Sequence, residues 1–339
     1  MKSYFKSPYF LPILSLFFIS ATITEVFTGS TPVEIFTNPI VFLLFATFGY
    51  GFPTLVIREI WIRNNLTVVG VYVLGIVYGL YNEWLFARSL IHPFRSPIES
   101  FALYGITEGV RVPSLLEITS YHAVYAIILP IIFVNFLFPK VSKVSWISKK
   151  KAWWLGVISV SFGTLAFLYN KMPVVYNTVG EKIPEVDQIM AQGQFGHYLT
   201  ALVIATILTC LAFKLPRQNA AISKKTVSQK QLFLAGLGIF LFTFLIPVIF
   251  AVNLLPIPFL LLFYFVSYFL LFKAYIHFVS IPEIAGVQLA LYAQTFIIIL
   301  GILIAISAGT FFQLIFLLGS FLVAVFLILK VKKQMMVQS

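Results

Sequence analysis

The sequence predicts an all-α fold, a polytopic transmembrane helix bundle of about ten spans with both termini in the cytoplasm. Three observations predict it. Of 339 residues, 60% are hydrophobic and only 10% charged, with a mean hydropathy of +0.99, where a soluble domain carries about a quarter charged residues. The apolar residues come in runs of the length a bilayer core of about 30 Å demands, roughly 20 residues per helix. Lys and Arg are segregated between alternate runs, as the positive-inside rule requires.

The spans follow in order. Apolar runs cover residues 9 to 28, 37 to 57, 66 to 90, 116 to 138, 152 to 170, 194 to 214, 231 to 251, 255 to 278, 285 to 307 and 309 to 330. The first comes after Lys2 and Lys6, as in a signal peptide, yet it outlasts the apolar region of such peptides and has no clear small-x-small cleavage site. It therefore reads as a helix of the mature protein. Only the turn signal Ser307-Ala308-Gly309 separates the last two runs. With the even-numbered loops and both termini inside, every Lys and Arg except Arg88, Arg95, Arg111, Lys171 and Lys182 is cytoplasmic. Every acidic residue except Glu59 and Glu283 is outside. One miscounted helix would invert all later loops and destroy that separation.

Composition divides the chain into three. Residues 1 to 214 hold spans one to six, most of the polar residues set into helices, and two long outer loops, 91 to 115 and 171 to 193. Residues 215 to 230 form a basic cytoplasmic linker. Residues 231 to 339 hold spans seven to ten, a scaffold in which Gln288, Tyr292 and Thr295 make a polar stripe for packing on a neighbouring helix. The net charge of +12 is topological, so the partner it implies is the lipid bilayer and not nucleic acid; protein partners stay open. The one cysteine, Cys210, excludes an internal disulfide and a thiolate metal cluster. No phosphate-binding glycine loop, dinucleotide fingerprint or haem-attachment motif is present.

In so apolar a chain an ionisable residue inside a span marks a site by default. Glu25 falls near the outer end of span one, Glu83 and Arg88 near that of span three, Glu117 and His122 in the first turns of span four, and His197 in the first turn of span six. Four helices converging on one polar pocket beneath the outer surface would satisfy them together. Gly75, Gly79 and Glu83 recur at i, i+4 and i+8, which puts the carboxylate on the face of a Gly-x-x-x-Gly pair, aimed at a neighbouring helix. Asn82 and Arg88 flank it, and Arg88 either pairs with Glu83 or snorkels to the headgroups. The candidate catalytic residues are Glu83, His122, His197 and Glu117; the candidate substrate-binding residues are Glu25, Asn82 and Arg88.

Two chemistries use these residue types. Neutral imidazole and carboxylate suit Zn²⁺, and three such ligands leave a position for a metal-bound water that attacks near neutral pH. Glu117 and His122, however, are five residues apart, about 140° around a helix, and no compact pair such as His-Glu-x-x-His occurs. Without a metal, Glu83 is the general base and the histidines stabilise an oxyanion. Elsewhere Arg58 and Glu59 read as a helix-end charge pair at the cytoplasmic interface and Glu283 as a cap at a helix N-terminus. Trp146, Trp153 and Trp154 beside Lys149 to Lys151 read as an interfacial belt. The loop 91 to 115 is a connector or a lid over the pocket.

Gly29-Ser30-Thr31-Pro32, the Leu55 to Glu59 segment ending Ile-Arg-Glu, Tyr78 to Glu83 leading to Ser89-Leu90-Ile91-His92-Pro93, and His122-Ala123-Val124-Tyr125 with Pro130 resemble a family of uncharacterised prokaryotic multi-span membrane proteins, over roughly residues 25 to 140. That resemblance implies a multi-pass protein of a prokaryotic cell membrane and carries no known activity. The order Glu83, Arg88, His122, His197 is also distantly similar to the membrane-embedded CAAX-protease and bacteriocin-processing family, which has a Glu-Glu-x-x-x-Arg helix followed by histidines on two later helices. Here Asn82 stands for the first glutamate, Arg88 lies one residue further on, Ile118 replaces a Phe and Ala201 an Asn. The likeness implies an intramembrane hydrolase. The same cluster also suits a small-solute or proton-coupled transporter, or a non-catalytic membrane complex subunit.

Overall fold

The computed structural model describes residues 7–27, 38–87, 89–90, 106–107, 110–168, 194–215, 217, 228–246, 249–250, 256–278, 283–308 and 311–338. Within them each apolar run falls on one helix. The first three are α1 Phe10–Val26, α2 Pro39–Asn64 and α3 Val68–Phe86. A small antiparallel hairpin follows, β1 Ile106–Thr107 with β2 Val110–Arg111, Ile106 standing opposite Arg111. Then come α4 Val112–Leu137, α5 Lys149–Leu168, α6 Gln194–Lys214 and α7 Gln229–Phe240, the last continued by a turn at Leu241–Leu245. α8 Ile257–Phe278, α9 Glu283–Ala308 and α10 Phe311–Gln338 complete the order. Among the described residues five segments are long and apolar enough to cross a membrane: α2, α3, α4, Gly196–Lys214 of α6 and Ala285–Ser307 of α9. Phe265, Phe311, Leu322 and Phe326 stand mostly exposed on the helices, as suits contact with lipid rather than water.

Local chemistry sets the helix ends. Asn38 caps α2 by accepting from the amides of Ile40 and Val41, with Pro39 in the first position. Thr67 accepts from Gly70 N at the start of α3, and Ser228 with Gln231 closes a capping box on α7. α2 stops where Asn65 turns left-handed, φ 47°, a conformation that Asn tolerates through its short polar side chain.

The first four helices share a core of Leu16, Tyr50, Leu55, Val71, Leu74, Tyr78, Ile127 and Ile131. α3 and α4 meet backbone to backbone. A Cβ on Gly75 would stand 2.6 Å from Ala123 Cα, and one on Gly79 would stand 2.7 Å from Thr119 Cα, so the Gly-x-x-x-Gly face packs on α4. Gly79→Val is expected to lower stability by about 1–3 kcal/mol, the range for overpacking. The check is the unfolding temperature in detergent, and an unchanged value would mean that the two helices do not touch there. Tyr121 and Tyr125 of α4 pack with Ala290, Ala293 and Ile297 of α9 and join the two groups of helices. In the polar stripe of α9, Tyr292 donates to Gln229 Oε1 of the neighbouring α7 at 3.1 Å, and Thr295 turns back onto Leu291 O.

Arg58 and Glu59 depart from the interfacial pair the sequence suggests, since neither side chain has any exposed surface. The segment after α4 folds over the end of α2, and Arg58 donates to the carbonyls of Val141, Ser142 and Val144, the Ser142 bond being 2.9 Å. The Trp146 ring lies 3.3 Å from the guanidinium carbon. Glu59 accepts from Arg58 at 3.0 Å, Arg63 at 3.1 Å and the amide of Trp146 at 2.8 Å. A turn rich in free carbonyls thus replaces the water that an interfacial arginine would use.

Candidate functional site

Wide turns closed by bonds from N–H to the carbonyl five residues back interrupt several helices. Among the described residues they occupy Thr22–Val26, Phe45–Gly51, Tyr81–Phe86, His122–Ile128 and Leu241–Leu245. Phe27 N reaches Thr22 O at 3.1 Å and Ala87 N reaches Asn82 O at 2.6 Å; Phe52 N bonds Thr47 O and Leu129 N bonds Val124 O. Such turns are rare and are frequent at functional sites.

Two of them have a visible cause. Proline lacks an N–H and its ring clashes with the carbonyl four residues back. Pro53 therefore frees Gly49 O, which accepts from Tyr78 Oη at 2.9 Å, and Pro130 frees Ala126 O, which accepts from Thr54 Oγ1 at 3.2 Å. Neighbouring helices supply the donors, as a lipid environment requires. The wide turns then re-aim the residues just before each proline, Tyr50 in α2 and the His122 segment in α4. In α1, Thr24 bonds back to Ser20 O at 2.7 Å, and its own carbonyl accepts from Tyr121 Oη at 2.6 Å.

Four of these turns carry one hydrogen-bonded cluster. His122 Nε2 lies 2.7 Å from Glu83 Oε1. Asn82 Nδ2 is 3.2 Å from the same oxygen, 3.3 Å from His122 Nε2 and 3.5 Å from Tyr50 Oη. Tyr50 donates to Glu25, and Ser89 donates to the second oxygen of Glu83. The shorter contact assigns the imidazole proton: Nε2–H donates to the carboxylate, and Asn82 donates to Glu83 rather than to the ring. His122 Nδ1 and Asn82 Oδ1 are buried with no hydrogen-bond partner. The rings of Tyr50, Tyr78 and Tyr121 surround the imidazole at centroid distances of 6.3, 5.6 and 5.4 Å. Tyr50→Phe removes only the hydroxyl that donates to Glu25 and should lower stability by about 1–3 kcal/mol. Denaturation in detergent checks it, and a shift of only a few tenths would remove Tyr50 from the network.

The remaining sequence candidates take different places. Glu117 is buried and close enough to Glu83 and Arg111 to feel both charges. His197 is partly buried in the first turn of α6. Arg88 and most of the loop 91 to 115 lie outside the described residues, as do the Glu283 side chain and its cap. Three participants were not legible as site residues. Tyr50 and Ser89 are ordinary uncharged residues, and Arg111 reads as a loop charge, yet it is 4% exposed and donates to the backbone carbonyl of Ser89. Pro53 is the one signal that marks the turn at Tyr50. Among the described residues no three His, Cys, Asp or Glu side chains are placed to hold a metal ion.

The model of an uncharacterized membrane protein family matches residues 14–338. No curated protein and no solved structure matches the chain.

Proposed function

The chain belongs to that uncharacterized membrane protein family, and from this premise we propose that it is an intramembrane hydrolase whose acid–base centre is the Glu83–His122 pair. One observation carries the proposal: the two side chains meet at 2.7 Å, 6% and 2% exposed, where wide turns of different helices converge. Buried ionisable groups inside an apolar bundle are costly and are retained for chemistry or transport. Glu83 acts as general base through Oε2, with Oε1 held by His122 and Asn82. The unpartnered Nδ1 of His122 is a second proton station for the reacting group. Glu117 and Arg111 set the local charge, Glu25 and Tyr50 complete the wall, His197 is kept as a catalytic candidate and Arg88 as a contact for the substrate.

The ten helices are read as ten spans with both termini cytoplasmic, in a prokaryotic cell membrane, and the segregation of Lys and Arg supports that topology. Residues 1 to 214 hold the site, 215 to 230 link, and 231 to 339 are scaffold. The bilayer is the partner, and nucleic acid is not. A second reading, a small-solute or proton-coupled carrier, draws on the link from Glu25 through Tyr50 and Asn82 to Glu83, which would serve as a relay. Reconstituted protein tests both. Hydrolysis of a lipid-soluble p-nitrophenyl ester that is lost in Glu83→Gln and His122→Ala supports the hydrolase. Pyranine-detected proton flux lost in the same variants, with no hydrolysis, would replace it with the carrier.

A further inference from the structure

We propose that Ser89 is the nucleophile of this site and that hydrolysis passes through an acyl-serine intermediate. The inference rests on the hydrolase reading above and goes beyond it, because a buried base could equally activate water. Ser89 is 5% exposed and its hydroxyl donates to the Glu83 oxygen that His122 does not use. A nucleophile bonded to a base that a third group orients is the triad logic in general form.

The position of the hydroxyl is imposed rather than incidental. The turn that follows α3 is tied down at three backbone points: Leu90 N donates to Glu83 O at 3.2 Å, Arg111 N donates to Leu90 O at 3.0 Å, and the Arg111 guanidinium donates to Ser89 O. Strand β2 therefore presses Ser89 onto the carboxylate, and the same arginine sets a positive charge beside it.

The step balances without a co-reactant other than water. Ser89 Oγ forms a bond to the substrate carbonyl carbon while its proton passes to Glu83 Oε2 and the carbonyl π electrons move to oxygen, near the Arg111 charge. The tetrahedral intermediate collapses, the bond to the leaving group breaks, and that group takes the proton from Glu83. Water then attacks the acyl carbon, its proton passing to Glu83 and from there to Ser89 Oγ as the ester bond breaks. The substrate class is an ester or amide of an acyl chain or peptide reached from the membrane.

The test is covalent trapping with a dodecyl fluorophosphonate, read by intact mass and peptide mapping on full-length protein in detergent. One adduct on Ser89 is expected, absent in Ser89→Ala and formed about 10²–10⁴-fold more slowly in Glu83→Gln, the range for loss of a general base. Ser89→Cys in a Cys210→Ser background should keep part of the turnover of the p-nitrophenyl ester and become sensitive to N-ethylmaleimide. Cys210 must go because it is an exposed free thiol. Hydrolysis that depends on Glu83 and His122 but survives in Ser89→Ala, with no adduct at Ser89, would overturn the nucleophile and leave the dyad standing. Absence of hydrolysis that depends on either dyad residue would overturn the hydrolase reading itself.

Discussion

His122→Ala is expected to slow ester hydrolysis by the reconstituted protein about 10²–10⁴-fold, the contribution of a positioned acid–base group. That range corresponds to roughly 3–5 kcal/mol of transition-state stabilisation. The substitution removes the group that fixes Glu83 Oε1 and the only ring nitrogen in the cluster that is buried and unpartnered. Glu83→Gln should do the same by a different route. It keeps the shape, so Asn82 and Ser89 retain a neighbour, but an amide accepts no proton at these positions. Initial rates at saturating ester measure both, with size-exclusion profiles confirming the fold; rates within about threefold of wild type would remove the pair from the chemistry.

Arg58→Ala should be strongly destabilising, by about 3–5 kcal/mol, the range for removing one partner of a buried ion pair. Glu59 would keep Arg63 and the Trp146 amide, but three carbonyls would lose their donor and the Trp146 ring its cation. The clamp ties α2 to the chain between α4 and α5, so its loss frees the segment that sets how α4 meets α2. Arg58→Lys should recover little of this, since one ammonium cannot reproduce the planar fork that serves three carbonyls and stacks on an indole. Urea or thermal unfolding in detergent measures it. A change of about 0.5 kcal/mol or less, typical of an exposed substitution, would mean that the clamp does not form.

The helices were legible because hydropathy runs of membrane length are a direct imprint of the bilayer. Glu25, Glu83 and His122 were legible as ionisable exceptions within those runs, and the Gly75 and Gly79 pattern pointed to close packing on a neighbouring helix, which the structure shows to be α4. Which of these side chains would pair with which was not legible. A regular helix puts residues 100° apart, and the wide turns shift that phase by an amount that sequence spacing does not carry. Tyr50 is one of 16 tyrosines and has no distinguishing neighbour except Pro53. The burial of Arg58 was not legible, because a loop with Pro139 and Trp146 gives no hint that it folds back over a helix end. Its carbonyls, not water, satisfy the guanidinium.

The most direct measurement is a double-mutant cycle on ester hydrolysis with Glu83→Gln, His122→Ala and the combined variant. If the two residues act as one centre, the double variant will be about as slow as either single one, as happens when catalytic groups work as a unit. Losses that multiply, or four equal rates, would contradict a Glu83–His122 centre.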